Sequence, residues 1–243
     1  SHNIEEPEDL GKAVLQMLNR HNLSSNEFLA KQFDHEVQSG SVIKPVQGAG
    51  RVTGDASVFR PLLGSKRAVV LSSALYPHYA DVDPYGSAAA ALDSAVRQSV
   101  AAGAPMGHLA ILDNFCWTDS TNPGRLWQLK EAARACYEFA THYGTPFISG
   151  KDSMFNDFKG YDEQGDKIQI SALPTLLISA IGVMQDAEKA VSIDVKFAGD
   201  LVYVLGDTKA ELGGSEYFRM FDEKGGVTPH TDGKKNLKLY QTL

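Results

Sequence analysis

The sequence predicts an α+β fold with α/β-like alternation, a mixed sheet packed by two long helices. Short apolar runs suited to buried strands recur at 68–72, 108–112, 147–148 and 173–183. Two stretches with helical spacing, 84–102 and 124–143, separate them. The resulting order, strand–helix–strand–helix–strand–strand, requires parallel and antiparallel pairing in one sheet.

Taken in order, residues 7–20 read as a helix, with Pro7 in its first turn, Glu8 and Asp9 at its positive end, and an apolar face of Leu10, Val14, Met17 and Leu18. Ser24 or Ser25 caps a second short helix through about Asp34. Residues 37–54, rich in Gly, Ser and Val, read as loop with one strand. Val58–Pro61 and Ala68–Ser72 form a hairpin about Leu63-Gly64-Ser65-Lys66. A polar aromatic loop, Tyr76–Asp83, leads to the helix opened by Pro84. Its many alanines let a backbone lie close against a sheet, and Gly103 ends it. The second long helix offers Leu126, Leu129, Ala133, Cys136 or Tyr137, and Ala140 to the core, and is stopped by Gly144 and Pro146. A polar hairpin-like loop spans 157–167, and 173–183 is a long buried strand. After a linker, Asp200–Leu205 reads as a new strand, 212–217 as a glycine turn into a helix, and 237–243 as the start of another helix.

Composition narrows the function classes. The chain has 243 residues, 43% hydrophobic and 22% charged, which suits an ordinary globular core. Thirty acidic against 23 basic residues give a net charge of −7, which argues against nucleic-acid binding. A local positive pocket for phosphate is still compatible with that balance. Two cysteines, Cys116 and Cys136, make no disulfide framework, so a reducing, cytoplasmic setting is expected. No apolar stretch is long enough to span a membrane. The chain opens Ser-His-Asn without a methionine, which we read as a piece of a longer protein.

Chemistry concentrates between Ala110 and Ser153. Two apolar runs there are expected to end in polar turns, Asp113-Asn114 and Gly150-Lys151-Asp152-Ser153. Strands that deliver such groups at their C-terminal ends commonly build phosphate or metal sites. Asp113 reads as a metal or ribose ligand, or as a cap of its turn. Gly150 permits close backbone approach, Lys151 supplies a point charge for phosphate, and Ser153 a hydroxyl. The turn is not a P-loop, because the G-x-x-x-x-G-K-[ST] spacing is absent. His78, His108 and His142 lack metal-ligand spacing. Cys116 reads as a nucleophile or as a buried thiol, and no base is identifiable for the former. Gly213-Gly214 reads as a phosphate nest or a tight turn.

Together, GDASVFRPL (54–62), DPYGSAAAALDSAVRQSVAAGAP (83–105), AILDNF (110–115), PFISGKDSM (146–154), PTLLISAIG (174–182) and GDLVYVLGDT with ELGGSEY (199–217) resemble phosphoribosylformylglycinamidine synthases, in family order. FDHEVQSGSVIKP (33–45) resembles that family's lead-in to its second half. The resemblance implies an aminoimidazole-ribonucleotide-synthetase-type architecture. Residues 1–50 would be a helical connector and lead-in loop, 51–187 an N-type synthetase domain and 188–243 an incomplete C-type domain. It implies an ATP-dependent carbon–nitrogen ligase of purine biosynthesis, of the glutamine amido-ligase type. Such an enzyme converts formylglycinamide ribonucleotide and glutamine-derived ammonia to the amidine through an iminophosphate, with ATP and Mg2+.

The implied partners are the remaining synthetase domains, a glutaminase domain or subunit, and a homodimeric or pseudo-dimeric N-type mate. Asp113 and Gly150 match nucleotide-contacting positions, and Ser153 a substrate-contacting one. Lys151 stands where shorter-chain members place a metal-binding Asn. A protonated lysine does not ligate magnesium but neutralises phosphate charge. The strand ending Leu71-Ser72-Ser73-Ala74 lacks the acid of many relatives, and the family's catalytic histidine and most of its metal acids lie in its first half. No catalytic residue and no metal ligand is therefore assigned here, and the chain is expected to be inactive alone. The alternatives are a catalytically silent, pseudo-symmetric scaffold half holding a structural nucleotide, or a sister enzyme such as aminoimidazole ribonucleotide synthetase.

Overall fold

A computed structural model describes residues 4–32, 36 and 38–243. The chain runs α1 (Leu10–Leu18), α2 (Glu27–Ala30), β1 (Ser41–Ile43), β2 (Val46–Gln47), β3 (Val52–Thr53), β4 (Ala56–Phe59) and β5 (Ala68–Leu75). Then come α3 (Pro77–Ala80), α4 (Pro84–Ala101), β6 (Leu109–Cys116), α5 (Pro123–Tyr143) and β7 (Phe147–Ser153). The hairpin strands β8 (Phe158–Tyr161) and β9 (Lys167–Ile170) precede β10 (Thr175–Met184), α6 (Glu216–Met220) and α7 (Gly233–Thr242).

The main sheet has the order β1-β4-β5-β10-β6-β7. It is mixed, as expected: β10 pairs antiparallel with both β5 and β6, whereas β6 and β7 are parallel across the α5 connection. Strand β10 alternates strictly. Leu176, Ile178, Ala180 and Met184 are buried beneath the helices, and Thr175, Leu177, Ser179 and Ile181 turn to the other face half exposed.

Helix α4 lies on β5 and β10, and α5 packs beside it. Asp83 caps α4 by accepting from Gly86 N–H at 2.8 Å, with Pro84 in the first turn. Its small side chains are what permit the close approach. Ala88, Ala89, Ala91 and Ala95 are buried, and Ser72 Oγ of β5 donates to Ala95 O at 2.6 Å while bonding Ser99 Oγ at 2.7 Å. Gly144 ends α5 in the left-handed region at φ 67°. The buried face of α5 is Ala132, Ala135, Cys136, Phe139 and Tyr143. Leu126 and Ala133, expected inside, are exposed, and of the alternatives Cys136 and Tyr137 it is Cys136 that is buried.

Several boundaries move. Helix α1 starts only at Leu10, capped by Asp9, and its expected apolar residues Leu10, Val14 and Leu18 are exposed; only Ala13 is buried. Helix α2 has a single turn. Asp34, where it was expected to end, and Phe33, His35 and Val37 of the family-like lead-in lie outside the described residues, as does the Ser-His-Asn opening. The stretch 37–54 holds three short strands instead of one, and the aromatic loop contains α3.

The expected strand at 200–205 is not formed. Leu201 to Leu205 have no ladder partner and are 60–86% exposed. A strand needs a neighbour for its backbone groups, and none of the described residues supplies one. Helix α7 is docked through a buried carboxylate. Asp93 of α4 accepts from Tyr143 Oη at 2.5 Å, Tyr240 Oη at 3.0 Å and Asn236 Nδ2 at 2.9 Å, with Arg97 Nη1 at 3.3 Å.

Candidate functional site

Asp113-Asn114 and Gly150-Lys151-Asp152-Ser153 do not form turns. Apolar β6 continues through Asp113-Asn114 to Cys116, and β7 continues through Gly150-Lys151-Asp152 to Ser153, because parallel pairing satisfies their backbones. The register sets Asp113 opposite Gly150, Asn114 opposite Lys151 and Cys116 opposite Ser153. A two-residue alternation then splits the group between the two faces of the sheet. Asp113 and Gly150 lie on the face that carries the helices. Lys151 and Ser153 lie on the other.

The Asp113–Gly150 contact is tight. A Cβ on Gly150 would sit 2.4 Å from Asp113 Oδ1, so any side chain there would have to displace that carboxylate. Lys151 N–H donates to the same Oδ1 at 3.2 Å. Burial pushes the Asp113 carboxyl up from its ordinary range, that N–H opposes the rise, and Asp152 adds to it. Behind it on α5, the Cys136 thiol is pushed up to about 12, first by burial and then by the Asp113 charge. Cys136 is therefore an inert buried thiol. Cys116 is half-buried, with its Sγ 3.7 Å from Asn114 Oδ1.

Past Ser153 the chain turns sharply. Phe155 takes a left-handed φ of 58°, and Asn156 N–H donates to Trp117 O at 3.0 Å. Ser153 Oγ donates to Asn156 Oδ1 at 3.1 Å. Thr118 and Ser171 donate to Asp157 Oδ1 at 2.5 and 3.0 Å, which with the other hydrogen bonds holds Asp157 below the usual carboxylate range. No sequence signal singled out Asn156; its role depends on a turn whose shape only the fold reveals.

A strand-end cavity does exist, but different residues line it. The ends of β5, β6 and β7 and the start of β10 share one end of the sheet. There a cavity of about 220 Å³ is lined by His78, Asp81, Leu173, Gly214, Arg219 and Lys224. Burial, then Arg219, lowers the His78 pKa. Arg219 Nε is buried without a hydrogen-bond partner. The Gly213-Gly214 pair serves close packing. A Cβ on Gly213 would lie 2.7 Å from Gly226 backbone, and Gly214 at φ 72° faces the His78 carbonyl. His78, His108 and His142 form no metal cluster, since no three His, Cys, Asp or Glu among the described residues are grouped to hold an ion.

A six-stranded mixed sheet, with two long helices on one face and a half-exposed second face, defines a two-layer α+β domain. The chain belongs to the AIR synthase related family: the description "AIR synthase related protein, N-terminal domain" matches residues 53–184, over half its length. It is similar to phosphoribosylformylglycinamidine synthase subunit PurL of Alkaliphilus metalliredigens, 33% identical over 99% of this chain and 30% of that protein. The same subunit of Methanocaldococcus jannaschii is 31% identical over 99% of this chain and 31% of that protein. The chain thus spans about 30% of the length of these curated relatives. Among solved structures, PurLQS from Thermotoga maritima has a TM-score of 0.53 at 24% identity, covering 71% of this chain and 25% of that one. T. maritima PurL complexed with AMPPCP gives 0.51 at 23% identity, over 69% and 25%. These likenesses establish a shared fold.

Proposed function

We propose that this chain supplies one wall of an ATP and formylglycinamide ribonucleotide site in a phosphoribosylformylglycinamidine synthase of purine biosynthesis. The observation that carries this reading is the parallel β6–β7 ribbon. Its register sets the candidate residues within four residue pairs at the C-terminal ends of the two strands, Lys151 and Ser153 on the open face and Asp113 and Gly150 on the helix-bearing face behind them. The curated relatives carry that enzyme's name, and T. maritima PurL, which shares the fold, has been solved with ADP and with FGAR.

Each residue has a definable task. Gly150 lets a ligand or carboxylate approach the backbone, and the exposed Lys151 ammonium offsets phosphate charge. Ser153 meets the ribonucleotide. Magnesium is not accommodated by these residues: Asp113 is a single carboxylate already holding Lys151 N–H, and a lysine does not ligate. Any metal acids belong to other parts of the synthetase, and no step is assigned to the ion here. Residues 188–243 would open a C-type domain, and the unpaired 200–205 segment would gain a neighbour within it.

The wider reading is a cytoplasmic, glutamine-dependent carbon–nitrogen ligase. Its ammonia comes from a glutaminase domain or subunit, and it has no nucleic-acid or membrane partner. No helix of the described residues is long and apolar enough to cross a membrane.

Titration calorimetry with ATP and magnesium tests the site. Lys151→Ala should weaken binding about tenfold, the effect of one lost charge-assisted contact. Unchanged affinity removes Lys151 from the site. A second reading, a silent scaffold half, is favoured by the inward turn of the Asp113 carboxylate. Absence of any ATP binding would select it.

A further inference from the structure

We propose that Asn156 is a positioning residue that fixes Ser153 Oγ as a hydrogen-bond acceptor, so that the ligand group meeting Ser153 is a donor. A ribose hydroxyl or an amide N–H fits that description, and a phosphate oxygen does not. The inference rests on the reading of Ser153 as a substrate contact.

The orientation of the Asn156 amide is settled by its partners. One end lies 3.1 Å from Trp117 O and 2.7 Å from Ser153 O. Both are carbonyl oxygens, which only accept, so that end is the Nδ2 donor. The other end is then Oδ1, which accepts only, and it lies 3.1 Å from Ser153 Oγ. The serine proton is thereby committed to Asn156, and the lone pairs of Oγ are what remain for a ligand.

Asn156 is itself held in place. Its backbone N–H donates to Trp117 O at 3.0 Å, and Phe155 N–H to Thr118 O at 3.3 Å. Phe155 between them adopts φ 58°, a conformation that a residue with a side chain takes up only where its surroundings hold it. Trp117 N–H donates to Ser153 O at 2.7 Å, so the end of β6, Ser153 and Asn156 form one closed unit. The sense of the serine hydroxyl is thus built into the turn before any ligand arrives.

The test is calorimetric titration of the 243-residue chain, with melting temperature as a folding control. Ser153→Ala should weaken formylglycinamide ribonucleotide about fivefold, and Asn156→Ala about twofold, since a hydroxyl free to rotate still accepts but is no longer held in the accepting orientation. In the double variant the loss should equal that of Ser153→Ala alone, because Asn156 acts only through Ser153. Sulfate, which offers acceptors only, should respond identically, or not at all, with wild type and Ser153→Ala.

If the loss from Asn156→Ala persists in the Ser153→Ala background, the inference fails. It also fails if sulfate affinity drops on Ser153→Ala, and that comparison stands even if Asn156→Ala does not fold. If wild type does not bind the ribonucleotide, or Ser153→Ala binds it as tightly, the underlying reading fails and takes the inference with it.

Discussion

A methyl group on Gly150 would collide with Asp113 Oδ1 at 2.4 Å, whereas one on Gly64 would meet nothing within 4 Å. Gly150→Ala should therefore cost about 1–3 kcal/mol in urea unfolding, and Gly64→Ala should be close to neutral. Asp113 makes a second prediction. Burial raises its folded-state pKa above the unfolded value, so the folded state holds the proton more tightly. Stability consequently falls as pH rises through the interval above about 4, and the cost persists at neutral pH. Asp113→Asn should be more stable than wild type at pH 7, with the gain fading below about pH 4, as thermal unfolding at a series of pH values would show. The sequence supplied the identities of Asp113, Gly150, Lys151 and Ser153 as a group. It did not reveal that Asp113 and Lys151 face opposite sides, because side-chain direction depends on whether a polar stretch is turn or strand. Partner strands decide that, and they lie about 38 residues away.

Among the elements, α7 shows how a polar group can dock a helix. Asp93→Ala would leave Tyr143, Tyr240, Asn236 and Arg97 without their shared acceptor. A loss of about 3–5 kcal/mol is expected, with faster amide exchange along 233–242. Tyr240→Phe, which keeps the ring and deletes one donor, should cost about 1 kcal/mol. Helices α4 and α5 were legible because caps, alanine content and glycine stops are local signals. The strand expected at 200–205 was not, since an apolar run specifies a propensity and the ladder requires a partner. Helix α1 has the helical spacing expected of it, but its apolar side is left uncovered. Periodicity reports a helix reliably and its packing partner not at all.

At the scale of the whole molecule, the sheet has a dressed face and a bare one. Across β5, β10 and β6, Leu75, Leu177 and Asn114 form one row of the bare face, and Leu71, Ile181 and Ala110 another. In the proposed enzyme this face would meet an N-type mate, and for the chain alone that mate would be a second copy. Sedimentation at micromolar concentration should then find paired chains, and Leu177→Lys should dissociate them without lowering the melting temperature by more than a few degrees. The mixed sheet was foreseeable from the element order. The position of its central strand was not, since nothing local in 173–184 says where it inserts. Strand β10 enters between β5 and β6, pairing Leu177 with Leu75 across roughly a hundred residues of chain. During synthesis, then, the two halves of the sheet emerge as separate hydrophobic edges and wait for their keystone. The order of synthesis thus sets the earliest moment at which the sheet can close.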